Sequence, residues 1–312
     1  MAMIFQFMGK KGEKILEKQN REAHIDELLA QRTIYSIAKN YQGLLIIITV
    51  LLPIFVSIVV KFVPSLINQS NYIFALYLVF AVIGEKILEK TVDRLKKTSA
   101  SIQERFDTKV LALDSNETLN TILIDDSFVR RYSKKAKKNK ELVQKVTNWY
   151  SLNLKGINSN IASLLCQRTN ITYDYSVRKQ YKNIIYILTS LTIIALFLIS
   201  LVNNLTLKSF LIEVVLPSIP VFIFSYKEIN SNIESIDNLS HLRALMESIL
   251  EDIKIDSKIQ NELLRQIQNR IYYNRILSPL IPDFIYSMLR TKLEDEMNYS
   301  VEKRIEILRA GR

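Results

Sequence analysis

The sequence is poor in the residues that most enzyme sites need. It has one cysteine, two histidines and six glycines in 312 residues. A single Cys excludes a disulfide scaffold and a four-Cys zinc site. Neither His24 nor His241 sits in a metal or triad motif, and there is no Walker loop, HExxH or GxSxG. Scarce glycine argues against phosphate-cradling loops. With only six prolines besides, long unpunctuated helices are predicted. Cys166 has Arg168 nearby, and an adjacent cation lowers a thiol pKa, but no His is near in sequence. Asp107, Asp114, Asp125 and Asp126 follow no known metal-loop spacing. The expectation is a protein that is not an enzyme, has no cofactor and binds no metal.

What is present is apolar sequence in blocks. Charged residues make up 23% of the chain, yet mean hydropathy is slightly positive at +0.09. Four runs account for this: residues 43–60, 72–84, 184–202 and 210–226. About 20 apolar residues cross ~30 Å of hydrocarbon as a helix. The first and third runs meet that length. The second is short, and the fourth is interrupted by Glu213. Each weaker run follows a strong one after a short polar link, 65–71 or 203–209, which is the pattern of two membrane hairpins. Buried core helices of a soluble protein are the alternative.

The predicted class is all-α: an integral membrane protein with four transmembrane helices in two hairpins and a helical cytoplasmic domain. The predicted divisions are an N-terminal helix (1–42), hairpin 1 (43–90), a basic helical region (91–182), hairpin 2 (183–226) and a C-terminal helical region (227–312). Of 42 Lys and Arg, all but Lys61 and Lys208 lie on one side of that topology. The positive-inside rule then places both termini and the central region in the cytoplasm.

The net charge of +11 is also local. Residues 85–183 carry +9 of it. Within them Arg130, Arg131, Lys134, Lys135, Lys137, Lys138 and Lys140 form a cluster suited to anionic lipid headgroups, at about 1 kcal/mol per residue near the surface. A nucleotide phosphate is an alternative occupant. No recognition motif or aromatic platform accompanies the cluster, so direct DNA or RNA binding is not expected.

Ionisable residues within spans usually face protein or water, which makes Lys61, Glu85 and Glu213 candidates for a pore lining. Lys61 and Glu213 lie at similar predicted depth with opposite sign; they either pair or reach separately to headgroups. Pro217 and Pro220, like Pro53, remove backbone donors mid-span and are candidate gating hinges. The apolar positions Leu242, Met246, Ile249, Ile253, Ile255, Ile259, Leu263, Ile267 and Ile271 predict one amphipathic face over 240–272, for packing within one subunit or between subunits. Ser278-Pro279-Leu280-Ile281-Pro282 ends that run, and a last helix is predicted over about 284–309.

Several short motifs recur in a telling order around the runs: Gln31-Arg32-Thr33-Ile34-Tyr35 before the first, Ile102 to Thr108 after the second, and Trp149-Tyr150, Cys166-Gln167-Arg168-Thr169-Asn170 and Tyr173-Asp174 before the third. Ser278 to Asp283 and Arg290 to Met297 follow the fourth. In this order the chain resembles the SMODS-associating four-transmembrane effectors of bacterial cyclic-oligonucleotide antiphage signalling (CBASS). The likeness covers almost the whole chain; one departure is Asp114-Ser115-Asn116 where a Pro-Trp-Asn-like turn is expected. The resemblance implies a homo-oligomeric effector in the lipid bilayer that binds a cyclic oligonucleotide made by a partner nucleotidyltransferase. Binding then opens or assembles a pore and arrests growth. Arg32, Arg105, Arg168 and Asn170 are the candidate ligand or interface residues, because Arg makes bidentate phosphate contacts. Ion pairing with Asp107, Asp174 and similar neighbours is the alternative role for the arginines. A membrane-anchored sensor or scaffold, recruiting partners through the C-terminal helices, is the second functional class.

Overall fold

The computed structural model describes residues 11–56, 70–119, 121–150, 154–253 and 259–310. Every regular element among them is helical. In chain order these are α1 (Lys11–Lys18), α2 (Glu22–Ile46), α3 (Ser70–Val110), α4 (Asp126–Ala136), α5 (Lys140–Val146), α6 (Ser159–Val202), α7 (Leu207–Phe210), α8 (Leu216–Asp252), α9 (Asn261–Leu277) and α10 (Asp283–Ala310).

Helix α2 runs into the first apolar run without interruption, through a π-helical turn at Ile47–Leu51. A second π turn, Leu211–Val215, joins α7 to α8. The two turns share a pattern. Each is followed by one leucine and then a proline, Leu52-Pro53 and Leu216-Pro217. A proline lacks the donor its preceding turn requires, and a widened turn relieves the clash of its ring with the carbonyl below. Hydroxyls contribute further donors: Thr49 Oγ1 donates to Leu45 O at 2.8 Å and Ser218 Oγ to Val215 O at 2.8 Å. Pro220 lies inside α8.

The described chain separates into two compact units. Unit 1 combines Met1–Ile37, Leu95–Arg178 and Ser235–Arg312. Its core is built from helical stripes. Leu242, Met246 and Leu250 on α8, Ile161, Leu164 and Leu165 on α6, Ile267 and Ile271 on α9, and Val301, Ile305 and Leu308 on α10 are all buried. Their three- and four-residue spacings put each set on one face of its helix. Gly12 begins this packing. Its N–H donates to Ile157 O at 3.1 Å, and a Cβ at position 12 would lie 2.3 Å from Leu154 O, so only glycine allows the approach.

Unit 2 combines Ala38–Arg94 and Lys179–Glu234. Its helices carry their apolar side chains outward: Leu44, Ile47, Leu51 and Phe55, and Ile187, Leu191, Ile194, Phe197 and Leu201 are exposed. Two stretches are long and apolar enough to cross a membrane, Glu22–Val56 and Ser159–Val202. Only 11% and 6% of their most apolar windows is buried, which distinguishes them from core helices. The second and fourth apolar runs are helical too, within α3 and α7–α8. Between α6 and α7 the chain turns sharply. Asn204 adopts φ 48°, a conformation Asn tolerates, and Thr206 caps α7 by accepting Ser209 N–H at 3.2 Å.

Two expectations change here. The periodic run over 240–272 is not one helix: α8 ends at Asp252 and α9 starts at Asn261. Its face is also shifted, with Leu250 and Leu264 buried and Ile249 and Leu263 only packed against the core. The face is filled within the subunit, because the break lets α9 follow a separate path over α3 and α6. Likewise, the N-terminal helix is interrupted at 19–21, where buried Gln19 accepts Tyr150 N–H at 2.7 Å.

Candidate functional site

Three of the motifs, those holding Asp107, Tyr150 and Gln167, meet in one buried polar network in unit 1. Asp107 on α3 is fully buried. Its Oδ2 accepts Arg275 Nη1 at 2.7 Å and Gln268 Nε2 at 3.0 Å, and its Oδ1 accepts Tyr150 OH at 2.6 Å. Glu104, one turn earlier, accepts Arg265 Nη2 at 2.5 Å and Gln268 Nε2 at 2.9 Å. Gln167 on α6 completes the set by donating to Gln268 Oε1 at 3.1 Å. A buried charge requires such partners. Burial pushes the Tyr150 hydroxyl well above its usual pKa, and the Asp107 charge and the thiol of Cys166 push it the same way. Burial tends to lower the Arg275 value, but the charge and hydrogen bond of Asp107 outweigh it and raise it. This network ties α3, α6 and α9 together.

The predicted ligand residues separate accordingly. Asn170 donates to Tyr150 OH at 3.3 Å and so belongs to the network's edge. Arg105 pairs through Nε with Glu27 Oε1 at 2.7 Å, donates to Ile124 O at 2.6 Å, and pairs with Asp126. Arg32 is exposed, and its charge acts on Glu141 and Tyr173. Asp125 caps α4 by accepting Phe128 N–H at 2.6 Å. Thus Asp107, Asp125 and Asp126 serve ion pairs and a cap, and no three His, Cys, Asp or Glu gather in metal-binding proximity among the described residues.

Arg168 is placed differently. Two residues from Asn170, it points off another face of α6 into a cleft bounded by α6 and α10. Arg168 Nε meets Glu247 Oε1 at 2.5 Å and Nη1 donates to Ser300 Oγ at 2.9 Å. Arg304 pairs with the other oxygen of Glu247. Burial alone would raise the Glu247 pKa; the hydrogen bonds and charges of Arg168 and Arg304 more than reverse that and hold it below the usual carboxylate value. Thr169, Thr172 and Tyr173 line the same cleft. Thr172 Oγ1 is buried with no hydrogen-bond partner. Tyr173 stacks on Tyr286 with ring centroids 6.4 Å apart. Glu247, Ser300 and Arg304 were not legible in the sequence, since nothing local ties positions 247 and 304 to 168.

The remaining predicted residues are outside this cleft. All seven of the basic cluster are exposed, on α4, the turn after it and the first residue of α5; Lys137 pairs with Glu22 at 2.6 Å and with Asp26. Glu85 pairs with Lys227 at 3.7 Å in unit 2. There Glu228 is buried and accepts Gln42 Nε2 and Tyr181 OH, each at 3.4 Å. Lys61 lies outside the described residues, as does the side chain of Glu213, so their pairing falls outside the structure.

A curated protein of Bacillus cereus (strain VD146), named a probable CBASS effector molecule, is 28% identical over 301 residues, covering 93% of this chain and 98% of its own length. No solved structure matches. The model of the SMODS-associating 4TM effector domain matches residues 13–304, which takes in both units and nearly all the helices described above. The chain belongs to the SMODS-associating four-transmembrane effector family.

Proposed function

We propose that the protein is a membrane effector of bacterial antiphage defence. It crosses the inner membrane four times with both termini in the cytoplasm. It binds a cyclic oligonucleotide there and assembles or opens to permeabilise the membrane, which arrests growth. Family membership supports the defence role. The observation that carries the gating reading is helix α6. One unbroken helix, Ser159–Val202, holds Arg168 in its packed part and the uncharged run 184–202 in its outward-facing part. A continuous helix has no intervening loop to absorb a displacement of one end. The face over 240–272 is not free to recruit a partner at its buried positions, which pack in the subunit's own core.

The test is dye release from liposomes containing the purified protein, with and without a panel of cyclic di- and trinucleotides. Release that depends on one nucleotide is the expected result. Folded, reconstituted protein that releases no dye with any of them, and is joined by no leakage at raised protein density, refutes the pore.

A further inference from the structure

One carboxylate in unit 1 is held as a phosphate would be. Glu247 on α8 offers one oxygen to Arg168 and the other to Arg304. The two guanidinium groups come from different helices, α6 and α10, so three helices meet at this single anion. The Arg168 side chain is 8% exposed and that of Glu247 24%, so the cation is withdrawn from water while the carboxylate keeps a path to it. Ser300 Oγ sits at 2.9 Å from Arg168, and Thr172, one turn along α6, lines the same cleft with its hydroxyl buried and unpartnered. A buried hydroxyl without a partner is costly, and an additional acceptor oxygen would satisfy it. Two converging guanidinium groups with hydroxyls beside them form a donor set matched to a phosphodiester. Tyr173 adds an aromatic wall. The carboxylate that lines the cleft, Glu296, has its own counter-ion in Lys292 at 3.8 Å.

We infer that Glu247 is the built-in occupant of an anion seat, and that a phosphodiester of a nucleotide ligand displaces it from Arg168 and Arg304, releasing the distal part of α8 from α6 and α10. This rests on the nucleotide-gated reading above. Helix α8 also carries Pro217 and Pro220 near its start, so releasing its far end frees the helix that contains both. The latch holds the seat closed, and a ligand's apparent affinity falls by the fraction of molecules that are open.

Opposite signs therefore follow for the two partners of one ion pair. Glu247→Gln should bind at least tenfold more tightly and leak without ligand. Arg168→Lys should bind at least tenfold more weakly. A merely structural pair would impair both. Binding is measured by calorimetry on full-length protein in detergent, with inorganic pyrophosphate, cyclic di-AMP, cyclic di-GMP and cyclic tri-AMP as probes. Thr172→Val, which removes only the unpartnered hydroxyl, should weaken binding a few-fold with the fold intact. Glu251→Gln makes the same charge change one turn further along α8 and should match wild type. If Glu247→Gln tightens no probe, or Glu251→Gln tightens it equally, the latch is refuted. Nucleotide-triggered leakage that is unchanged in Glu247→Gln and Arg168→Lys refutes the latch and leaves the pore standing. Tighter pyrophosphate binding by Glu247→Gln, with no leakage under any condition, keeps the latch and refutes the pore.

Discussion

Replacing Arg275 with Met removes the guanidinium that faces Asp107 while keeping an unbranched, flexible side chain of related length. Asp107 is fully buried, and after the change its carboxylate retains only the neutral donors Tyr150 OH and Gln268 Nε2. Removing one partner of a buried ion pair costs about 3–5 kcal/mol, because the other charge is left uncompensated. At roughly 2–4 °C per kcal/mol for a domain of 150–250 residues, unit 1 should melt about 6–20 °C lower. The compensating change is Asp107→Asn. In the double variant this pair leaves no uncompensated buried charge, and the amide oxygen still offers one acceptor. One of the two neutral donors then loses its partner, which costs about 1–3 kcal/mol. The double variant should therefore be more stable than Arg275→Met alone. Thermal unfolding of the detergent-solubilised protein, followed by circular dichroism, measures all the required values. A single variant melting within 2 °C of wild type would refute the reasoning, as would a double variant less stable than Arg275→Met.

Glu27 provides a pH test. Burial alone would raise its pKa, but the hydrogen bond from His24 and the charges of Lys109 and Arg105 bring the folded value below its ordinary 4.5. A depressed carboxyl stabilises the fold at pH above 4.5 and loses that contribution as pH falls through its lower folded value. Melting temperature should fall on acidification below pH 4.5, and Glu27→Gln should flatten that limb. Cys166 is 2% exposed, and burial pushes its thiol well above the usual value; a maleimide should label it only after denaturation, as read by mass spectrometry. Gly12→Ala should lower the melting temperature, at a cost of about 1–3 kcal/mol, because the new methyl meets Leu154 O. Gly84→Ala has open space and a helical backbone, so it should be neutral or stabilising by about 0.5–1 kcal/mol. If the π turns and prolines form a gating hinge, Pro217→Ala combined with Pro220→Ala should change nucleotide-triggered dye release; an unchanged rate removes the hinge.

The helical class, the apolar runs, the end of α9 at Leu277 and the last helix were all legible in the sequence. Each depends on signals within a few residues: hydrophobic period, run length, and prolines at 279 and 282 that forbid continuation. The motif from Gln103 to Thr108 was legible as a motif but not as a role. Only tertiary structure divides it, sending Glu104 and Asp107 inward to Arg265 and Arg275 and Arg105 to Glu27 and Asp126 on another side. The same holds for Cys166 to Asn170, where successive side chains leave one helix in different directions: Gln167 and Asn170 reach the buried network, while Arg168 and Thr169 reach the cleft. The break between α8 and α9 also escaped, because its isoleucines keep a helical period through it. Sequence alone thus determined the helical class and which segments are apolar enough for a membrane, since both follow from local composition. Which arginine is a strut and which meets Glu247 was decided by partners 79 and 57 residues away. Charge pairing is fixed by proximity in space, and chain order carries no record of it.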